Sequence, residues 1–343
     1  MTSIYDLDLK DLENYLVLNG LKPFRAKQIF KWLYEKRVDD FTLMSDISKD
    51  LQIKLSSDFE IKELKIVDKQ ISKDGTQKFL FELNDGALVE SVLMVFDYGY
   101  SACLSSQVGC NMGCKFCASG LLKKQRDLTT GEIVSQALMI QKTLDTMDGR
   151  LGNIVMMGTG EPFDNYDNVM KAMSIINSPH GLQIGSRHIS ISTCGVVPMI
   201  KRFSKENLQY NLAISLHAPN NELRDTLMPI NHAYKLEELF AALKEYSALN
   251  NRRLTFEYLL LKGVNDSKKE ADEIKELLKG LKAYINLIPY NNVKEKDFET
   301  SSEENALKFY DMLKKNGVAV TLRQKKGDDI DAACGQLRAN HIK

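Results

Sequence analysis

The spacing of apolar residues predicts two structural parts along the chain. In the first part, apolar positions recur with a helical period over residues 9–20, LKDLENYLVLNG, and again over residues 24–36. Three stretches of strand-like alternation follow, separated by two Asp-Gly pairs of the kind that form hairpin turns. We therefore predict a small helical accessory domain with a β-rich extension over residues 1–95.

From about residue 100 onward, short and nearly continuous apolar segments alternate with amphipathic ones such as residues 130–142 and 269–278. Strands that are buried on both faces and joined by helices form parallel sheets. A closed eight-stranded barrel needs two more such units, so we predict an α/β fold with a partial (β/α)6 TIM-like barrel over residues 96–343 and a last strand at residues 317–323. The six predicted barrel strands are YSACLS (100–105), NIVMMG (153–158), HISISTCG (188–195), YNLAISLH (210–217), LTFEYLLL (254–261) and INLIPY (285–290).

Small and polar residues follow or end most of these predicted strands. They are Cys110, residues 158–162, Ser192, residues 215–217 and Asn291. Because β/α barrels carry their chemistry at the C-terminal ends of the strands, we expect these residues to share one site.

Composition places the chain among ordinary globular proteins. Of its 343 residues, 43% are hydrophobic and 27% are charged. No apolar run approaches the roughly 20 residues that a membrane-spanning helix needs. The first residues, MTSIYDLDLKDLENY, are acidic where a signal peptide is basic. We expect a cytoplasmic protein without membrane contact, in which clustered cysteines serve metal or redox chemistry rather than disulfides.

The charge balance gives no general sign of a polyanion partner, because 46 basic residues face 46 acidic ones. Local basic clusters are more typical of solvated faces, but they are the candidates for nucleic-acid contact. These clusters are Lys123, Lys124 and Arg126, then Arg323, Lys325 and Lys326, and the segment 24–37.

Four of the six cysteines fall in one stretch, CLSSQVGCNMGCKFCASG. Cys110, Cys114 and Cys117 have the spacing C-x3-C-x2-C. A structural zinc site closes with four ligands, and Cys103 is available as the fourth. The alternative is a [4Fe–4S] cluster held by three thiolates, with one iron left for a substrate or cofactor.

The three-cysteine motif, with Phe116 before its last cysteine and at the head of a partial β/α barrel, resembles that of radical S-adenosylmethionine (SAM) enzymes. Further motifs are similar to those of one family among them, the RlmN/Cfr RNA adenine methyltransferases, over nearly the whole chain. They are FRAKQIFKW (24–32), SSQVGCNMGCKFCASG (105–120), MMGTGEPFDN (156–165), ISTCGVVP (191–198), AISLHAPNNELRDTLMPIN (213–231), INLIPYN (285–291) and GDDIDAACGQLR (327–338).

The resemblance implies one [4Fe–4S] cluster on Cys110, Cys114 and Cys117, and two SAM molecules for each turnover. It also implies a SAM site in which Gly160 and Glu161 hold the aminoacyl part of the cofactor. The other residues that it assigns to this site are Ser192, Ser215, Leu216, His217 and Asn291.

The resemblance further implies a radical mechanism, since a purine C–H is too unreactive for polar methyl transfer. Cys334 first accepts a methyl group from SAM, and a second SAM gives the radical that activates this methyl for addition to carbon 2 of adenine. Cys103 then attacks the Cys334 sulfur, forming a transient disulfide that releases the product. Glu90 is the implied proton acceptor, whereas Cys194 matches no family role and is expected to pack.

The targets implied by the family are adenine 2503 of 23S ribosomal RNA and, in some members, adenine 37 of transfer RNA. An electron donor such as flavodoxin or ferredoxin is also implied. One alternative is the Cfr reaction, methylation of carbon 8, although GTGEPFDN (158–165) and neighbouring motifs favour carbon 2. Another alternative is a zinc-stabilised RNA-binding protein without catalysis.

Overall fold

The computed structural model describes residues 2–337, in which helices flank one large mixed sheet. The helices are α1 (Leu9–Leu18), α2 (Arg25–Phe30), α3 (Lys49–Asp58), α4 (Thr130–Asp145), α5 (Tyr166–Asn177), α6 (Val197–Lys205), α7 (Asn221–Leu227), α8 (Ile230–Ala233), α9 (Leu236–Leu249), α10 (Lys268–Leu277) and α11 (Glu303–Lys315). The strands are β1 (Thr2–Ser3), β2 (Phe59–Glu60), β3 (Lys65–Ile71), β4 (Gln77–Glu82), β5 (Leu88–Phe96), β6 (Gly99–Cys103), β7 (Gln107–Val108), β8 (Arg126–Asp127), β9 (Leu151–Met156), β10 (Ile189–Thr193), β11 (Asn211–Ser215), β12 (Leu254–Leu260), β13 (Ala283–Pro289) and β14 (Val320–Leu322).

The large sheet has the strand order β14-β13-β12-β11-β10-β9-β6-β5-β4-β3. Strands β6 and β9 to β14 run parallel, and β3 to β6 form an antiparallel meander. Six parallel strands with crossover helices and a last strand, β14, confirm the predicted partial (β/α)6 barrel. The parallel strands place all their C-terminal ends at one edge of the sheet.

Burial on both faces explains the unbroken apolar runs of the parallel strands. Helices α4 to α11 lie between successive strands, and α4 and α10 begin with capping boxes formed by Thr129 with Glu132 and by Ser267 with Glu270. Central strand residues are fully inaccessible to solvent: Ile154, Ile191, Ile214, Phe256 and Ile285. Among residues 2–337, no helix combines the length and the apolar character needed to cross a membrane.

The N-terminal helices pack against the barrel through polar contacts at α4. Asp6 accepts a hydrogen bond from the Gly131 N–H at 2.6 Å, and the Arg37 guanidinium pairs with Asp145 at 2.6 Å. The β-rich extension joins the barrel sheet, because β5 pairs with β6. The division of the chain into domains at residue 95 stays a prediction.

Two predicted elements differ from those observed. The helix predicted over residues 24–36 is α2 followed by a π-helical segment, Lys31–Lys36, which ends where Arg37 adopts a left-handed conformation. The strand predicted at residues 317–323 is only Val320–Leu322, because Gly317 has φ +76° in the turn that follows α11.

Candidate active site at the strand ends

The C-terminal ends of the parallel strands surround a cavity of about 970 Å³, including its open mouth. We call it the central cavity. The cysteine loop between β6 and α4 forms one wall, and the loops after β9, β10 and β11 form the others. Its chemically functional lining consists of Cys110, Cys114, Cys117, Gly158, Gly160, Glu161, Ser192, Ser215, His217, Glu257 and Cys334.

The structure brings the three motif cysteines together on one wall of this cavity, each of them partly buried. Burial raises the pKa of Cys110 to about 11 and raises that of Cys114 as well, so the free thiols are protonated near neutral pH. Within residues 2–337, no group of three or more His, Cys, Asp or Glu residues has the arrangement of a single-ion site. Three soft thiols facing one cavity are a donor set that fits an iron–sulfur cluster.

Cys103 lies elsewhere, in a neighbouring recess that we call the thiol recess. Its lining includes Cys103, Cys334, Arg323, Asn291 and Met94. Burial raises the pKa of Cys103 to about 12, with a smaller contribution from the Cys334 thiol and an opposing one from Arg323. The zinc alternative requires Cys103 beside the three motif cysteines on the wall of the central cavity. The structure instead places Cys103 with Cys334 in the thiol recess.

Cys334 lines both the central cavity and the thiol recess. Burial raises the pKa of its thiol to about 11, and the Arg323 guanidinium offsets part of that rise. The next residue, Gly335, accepts a hydrogen bond from the Ala118 N–H at 2.7 Å, which joins the Cys334 loop to the cysteine loop. The last residue of the GDDIDAACGQLR motif, Arg338, lies outside the described residues.

The β3–β4 hairpin fastens the start of the Cys334 loop. Ser72 donates a hydrogen bond to Asp329 at 2.5 Å, and the Gly327 N–H donates to Asp74 at 3.2 Å. The Lys78 ammonium lies 3.4 Å from the Asp331 carbonyl. The β extension thus helps to hold the loop that carries Cys334.

Glu90 lies on the same face of β5 as Met94, which lines the thiol recess. Residues at even positions of this strand share one face, and Val92 and Met94 on that face pack with Cys103. The buried Glu90 carboxylate pairs with the Lys78 ammonium at 3.5 Å. Strand periodicity therefore places a buried carboxylate on the same face as the residues that contact Cys103.

Glu161 joins two walls of the central cavity. Its buried carboxylate accepts hydrogen bonds from the Phe163 N–H at 2.9 Å and from the Cys194 N–H at 2.8 Å. Burial raises the pKa of Glu161, and these two hydrogen bonds oppose the rise. The side chain thus ties the loop after β9 to the loop after β10, while Cys194 packs in a small apolar cluster, as expected.

Gly160 occupies a position that a side chain cannot share. Its φ is +109°, and an added Cβ atom would lie 2.7 Å from Gln107 Cβ and 2.7 Å from Ser106 Oγ. The backbone of the loop after β9 is therefore free to approach a cofactor from the cavity side.

We expect Gly160→Ala to lower the free energy of unfolding by about 2–4 kcal/mol, because it combines a strained φ with a steric clash. Urea denaturation measures this change. Gly152→Ala on the adjoining strand β9 is the control, since its added Cβ has ordinary contacts and no positive φ. Equal effects of the two substitutions would contradict the steric account.

His217 follows β11 with φ +54°, a left-handed conformation that is rare outside glycine and typical of functional sites. Its Nδ1 atom accepts a hydrogen bond from the Leu259 N–H at 3.0 Å, which makes Nε2 the protonated nitrogen of a neutral ring. Burial, assisted by the Arg224 charge, lowers the pKa of His217 to about 3. The ring therefore offers one N–H donor near the cavity.

This depressed pKa predicts a specific acid sensitivity. An unfolded histidine titrates near pH 6.5 and the folded one near pH 3, so the unfolded state binds the extra proton between these values. The free energy of unfolding should therefore fall by up to about 1.4 kcal/mol per pH unit as pH drops below 6. Urea unfolding at pH 7, 6 and 5 should show a shallower dependence for His217→Gln, whose amide oxygen retains the hydrogen-bond acceptor. His188→Gln, at an exposed histidine, should keep the parent slope, and an unchanged slope for His217→Gln would be the opposing result.

The remaining predicted cofactor residues take different positions. Ser192 and Ser215 line the central cavity, whereas the Leu216 side chain is fully buried in the core, so only its backbone is available to a cofactor. Asn291 lies in the thiol recess, and its buried Oδ1 has no hydrogen-bond partner among the described residues. The structure therefore brings Ser192 and Ser215 together with the three thiols and Gly160 in the central cavity, and it places the orphaned Asn291 acceptor in the neighbouring recess.

Sequence reasoning did not single out Arg224 or Glu257, and it assigned Arg323 only to a basic cluster. Arg224 in α7 is fully buried and donates hydrogen bonds to the carbonyl groups of Cys194 at 2.7 Å and Ser215 at 3.2 Å, which fixes two strand-end loops. Arg323 lines the thiol recess together with Cys103 and Cys334, and the buried Glu257 of β12 lines the central cavity. Arg224 lies in the motif AISLHAPNNELRDTLMPIN, which predicts a cofactor site at residues 215–217. No local sequence pattern indicates that Arg224 itself is buried.

The first basic cluster is largely neutralised by nearby acids. Lys124 pairs with Asp127 and Asp164, each at 2.8 Å, and Arg126 pairs with Asp85 and Glu132. In the second cluster, Arg323 points into the thiol recess, while Lys325 and Lys326 line its rim. Of the three basic clusters predicted from sequence, the rim lysines and the exposed residues of segment 24–37 keep the character of an RNA-facing surface.

Comparison with known proteins agrees with this geometry. The model of the radical SAM superfamily matches residues 104–278, and that of the ribosomal RNA large subunit methyltransferase N-terminal domain matches residues 2–61. A radical SAM methyltransferase from Sphaerobacter thermophilus has a crystal structure with a TM-score of 0.94 and 42% identity, covering 99% of this chain and 100% of that one.

Full-length relatives are more similar still. A protein of Streptococcus thermophilus named as a probable dual-specificity RNA methyltransferase RlmN is 54% identical over 99% of this chain and 89% of its own length. The protein of the same name from Acholeplasma laidlawii is 51% identical over 99% of both chains. The family uses a [4Fe–4S] cluster and SAM as cofactors. The chain therefore belongs to the RlmN family of radical SAM RNA methyltransferases.

Proposed function

We propose that this enzyme methylates carbon 2 of adenine in RNA, at adenine 2503 of 23S ribosomal RNA and at adenine 37 of transfer RNA. The observation that carries the proposal is the position of Cys334, which borders the cluster thiols and SAM-site residues on one side and Cys103 on the other. A thiol in this position can receive a methyl group from a cofactor in the central cavity. A second thiol in the recess can then attack its sulfur and release the methylated base.

Residues at the strand ends bind and orient the cofactors. Cys110, Cys114 and Cys117 would hold the cluster. The Gly160 backbone and the Glu161 loop hold the aminoacyl end of SAM. Ser192, Ser215, the Leu216 backbone, His217 and Asn291 complete this site. When bound, the cluster and SAM supply the methyl group and the one-electron chemistry that polar groups of the chain lack.

The two remaining thiols and Glu90 carry out the chain's own chemistry. Cys334 accepts the methyl group on sulfur. With the cluster and SAM bound, one hydrogen atom would leave this methyl group, its carbon would bond to carbon 2 of the adenine, and the surplus electron would return to the one-electron chemistry that these cofactors supply. Glu90 accepts the proton that leaves carbon 2 of the adenine. The Cys103 thiolate attacks the Cys334 sulfur, the C–S bond breaks, and its electron pair stays with the carbon, which takes up a proton to give the methyl product.

Burial keeps the thiols of Cys103 and Cys334 protonated until they react. The pKa values of Cys103 and Cys334 are about 12 and about 11, so neither thiol is a free thiolate at neutral pH. The Arg323 charge favours the thiolate of each, and Arg323 lines the recess together with both thiols. We propose that Arg323 assists each thiol as it loses its proton.

Access for RNA is expected beside the rim of the thiol recess. A target adenine must leave its stack to enter such a recess, which requires contacts to the surrounding phosphates. Lys325 and Lys326 lie at this rim, and Lys27, Lys31 and other residues of segment 24–37 are exposed on the N-terminal part. Residues 1–95 are thus proposed as an RNA-contacting domain, and an acidic electron-transfer protein of the flavodoxin or ferredoxin type as the reductant.

Mass spectrometry of RNA nucleosides tests the proposal. Cells that lack the gene should lose 2-methyladenosine from 23S ribosomal RNA and from transfer RNA, and a plasmid copy should restore it. A loss of 8-methyladenosine would instead assign the Cfr reaction. Unchanged 2-methyladenosine in both RNAs would overturn the proposal.

A further inference from the structure

A second polar cleft lies at the opposite edge of the barrel, where the parallel strands begin. Its four cations come from three separate segments: Arg187 before β10, Arg252 and Arg253 before β12, and Lys282 before β13. Side chains that precede neighbouring parallel strands meet at one edge of the sheet, which is why residues so distant in sequence lie together.

The lining of this cleft contains cations and neutral amides but no carboxylate. Within the described part of the chain, none of these four cations lies within 4.0 Å of an acidic oxygen, although the chain as a whole has equal numbers of acids and bases. Like charges held together without counter-charges repel each other, so such a cluster raises the local positive potential.

Neutral partners hold three of these cations in place. The Arg252 guanidinium donates a hydrogen bond to Asn211 at 2.6 Å, and the Arg253 guanidinium lies 4.1 Å from the Tyr284 ring centroid. The Lys282 ammonium is 3.3 Å from the Asn251 side-chain oxygen. These contacts restrict the side chains but leave their charge uncompensated, as in a preformed anion site.

We propose that this cleft is a second RNA-binding site that contacts phosphates of the substrate far from the modified base. The inference rests on the proposed function, because it takes RNA as the substrate. A cleft that is open and lined by charged and amide groups suits a backbone better than a small metabolite, whose sites are mostly apolar and enclosed. Strands of five to seven residues separate the two edges by roughly 17–23 Å at about 3.3 Å per residue, a distance that a folded RNA spans but that excludes direct participation in chemistry.

Salt-dependent binding tests this site in the intact enzyme. The triple variant Arg252→Gln, Arg253→Gln, Lys282→Gln should bind a 23S ribosomal RNA fragment that carries the target adenine about 10-fold to 100-fold more weakly at 50 mM salt than wild type. The slope of log Kd against log salt should fall by about two to three, since each phosphate contact contributes about 0.7–0.9. Methylation at saturating RNA should keep the wild-type rate.

The matched control removes three exposed lysines from α10, with the substitutions Lys268→Gln, Lys269→Gln and Lys275→Gln, and so has the same change in net charge. Replacing Arg252 and Arg253 by lysine should restore most of the salt slope. If wild type methylates the RNA but the cleft variant and the α10 control show the same Kd and the same slope of log Kd against log salt, the inference is overturned. Absence of methylation by wild type would instead count against the proposed function.

Discussion

Replacing Cys334 with alanine is expected to abolish RNA methylation, lowering the rate by at least about 10⁴-fold, as removal of a covalent nucleophile does. The cluster should remain, because the cysteines assigned to it lie on the separate loop between β6 and α4. Methyl transfer to RNA, iron content and visible absorbance, all measured on anaerobically prepared protein, separate these two effects.

The control for this experiment is Asp328→Asn on the same loop. The Asp328 side chain is exposed and has no proposed part in the reaction, so this variant should keep wild-type activity. Two results would count against the assignment: methylation by the Cys334 variant at the wild-type rate, or loss of its iron together with its activity.

Replacing Cys103 with alanine should trap RNA on the protein. The proposed reaction joins the adenine to Cys334 through a thioether carbon, and only a thiol placed beside that sulfur can release it. Cys103 shares the thiol recess with Cys334, and Met94 and Leu337 line the same recess. A slow-migrating adduct on denaturing gels, stable to reducing agents because no disulfide is present, is the expected result.

The double variant Cys103→Ala, Cys334→Ala is the control, and it should form no adduct. Release of methylated RNA by Cys103→Ala at the normal rate would remove the disulfide step from the mechanism. An adduct that also forms in the double variant would show that the RNA is attached to another residue.

Much of the barrel could be predicted from sequence because its strands obey a strong rule. Residues such as Ile154, Ile214 and Phe256 are buried between helices on both faces, so their segments are apolar throughout. The same rule places Ser192 and Ser215 at a common edge, where the structure indeed has them around one cavity. The type of helix could not be predicted in the same way, because the π-helical segment Lys31–Lys36 has the apolar periodicity of an ordinary α-helix.

Other features of the site depend on contacts between distant segments, which no local pattern records. The proximity of Cys103 and Cys334 was implied by family resemblance alone, since 230 intervening residues separate them. Arg224 has the sequence context of a surface cation on a helix, but tertiary packing buries it against two strand-end carbonyls. The cationic cleft where the parallel strands begin could not be predicted for the same reason. Its cations are far apart in sequence and meet only in the folded sheet.

The most direct test of the account follows a methyl group through Cys334. The enzyme is first incubated with SAM that carries a deuterated methyl group. Unbound SAM is then removed, and RNA and unlabelled SAM are added. Mass spectrometry should find the label on the peptide GDDIDAACGQLR before RNA is added, and deuterium in the first equivalent of methyladenosine afterwards. An unmodified Cys334 peptide from active enzyme, or a first product without deuterium, would contradict the central claim that Cys334 carries the methyl group to the base.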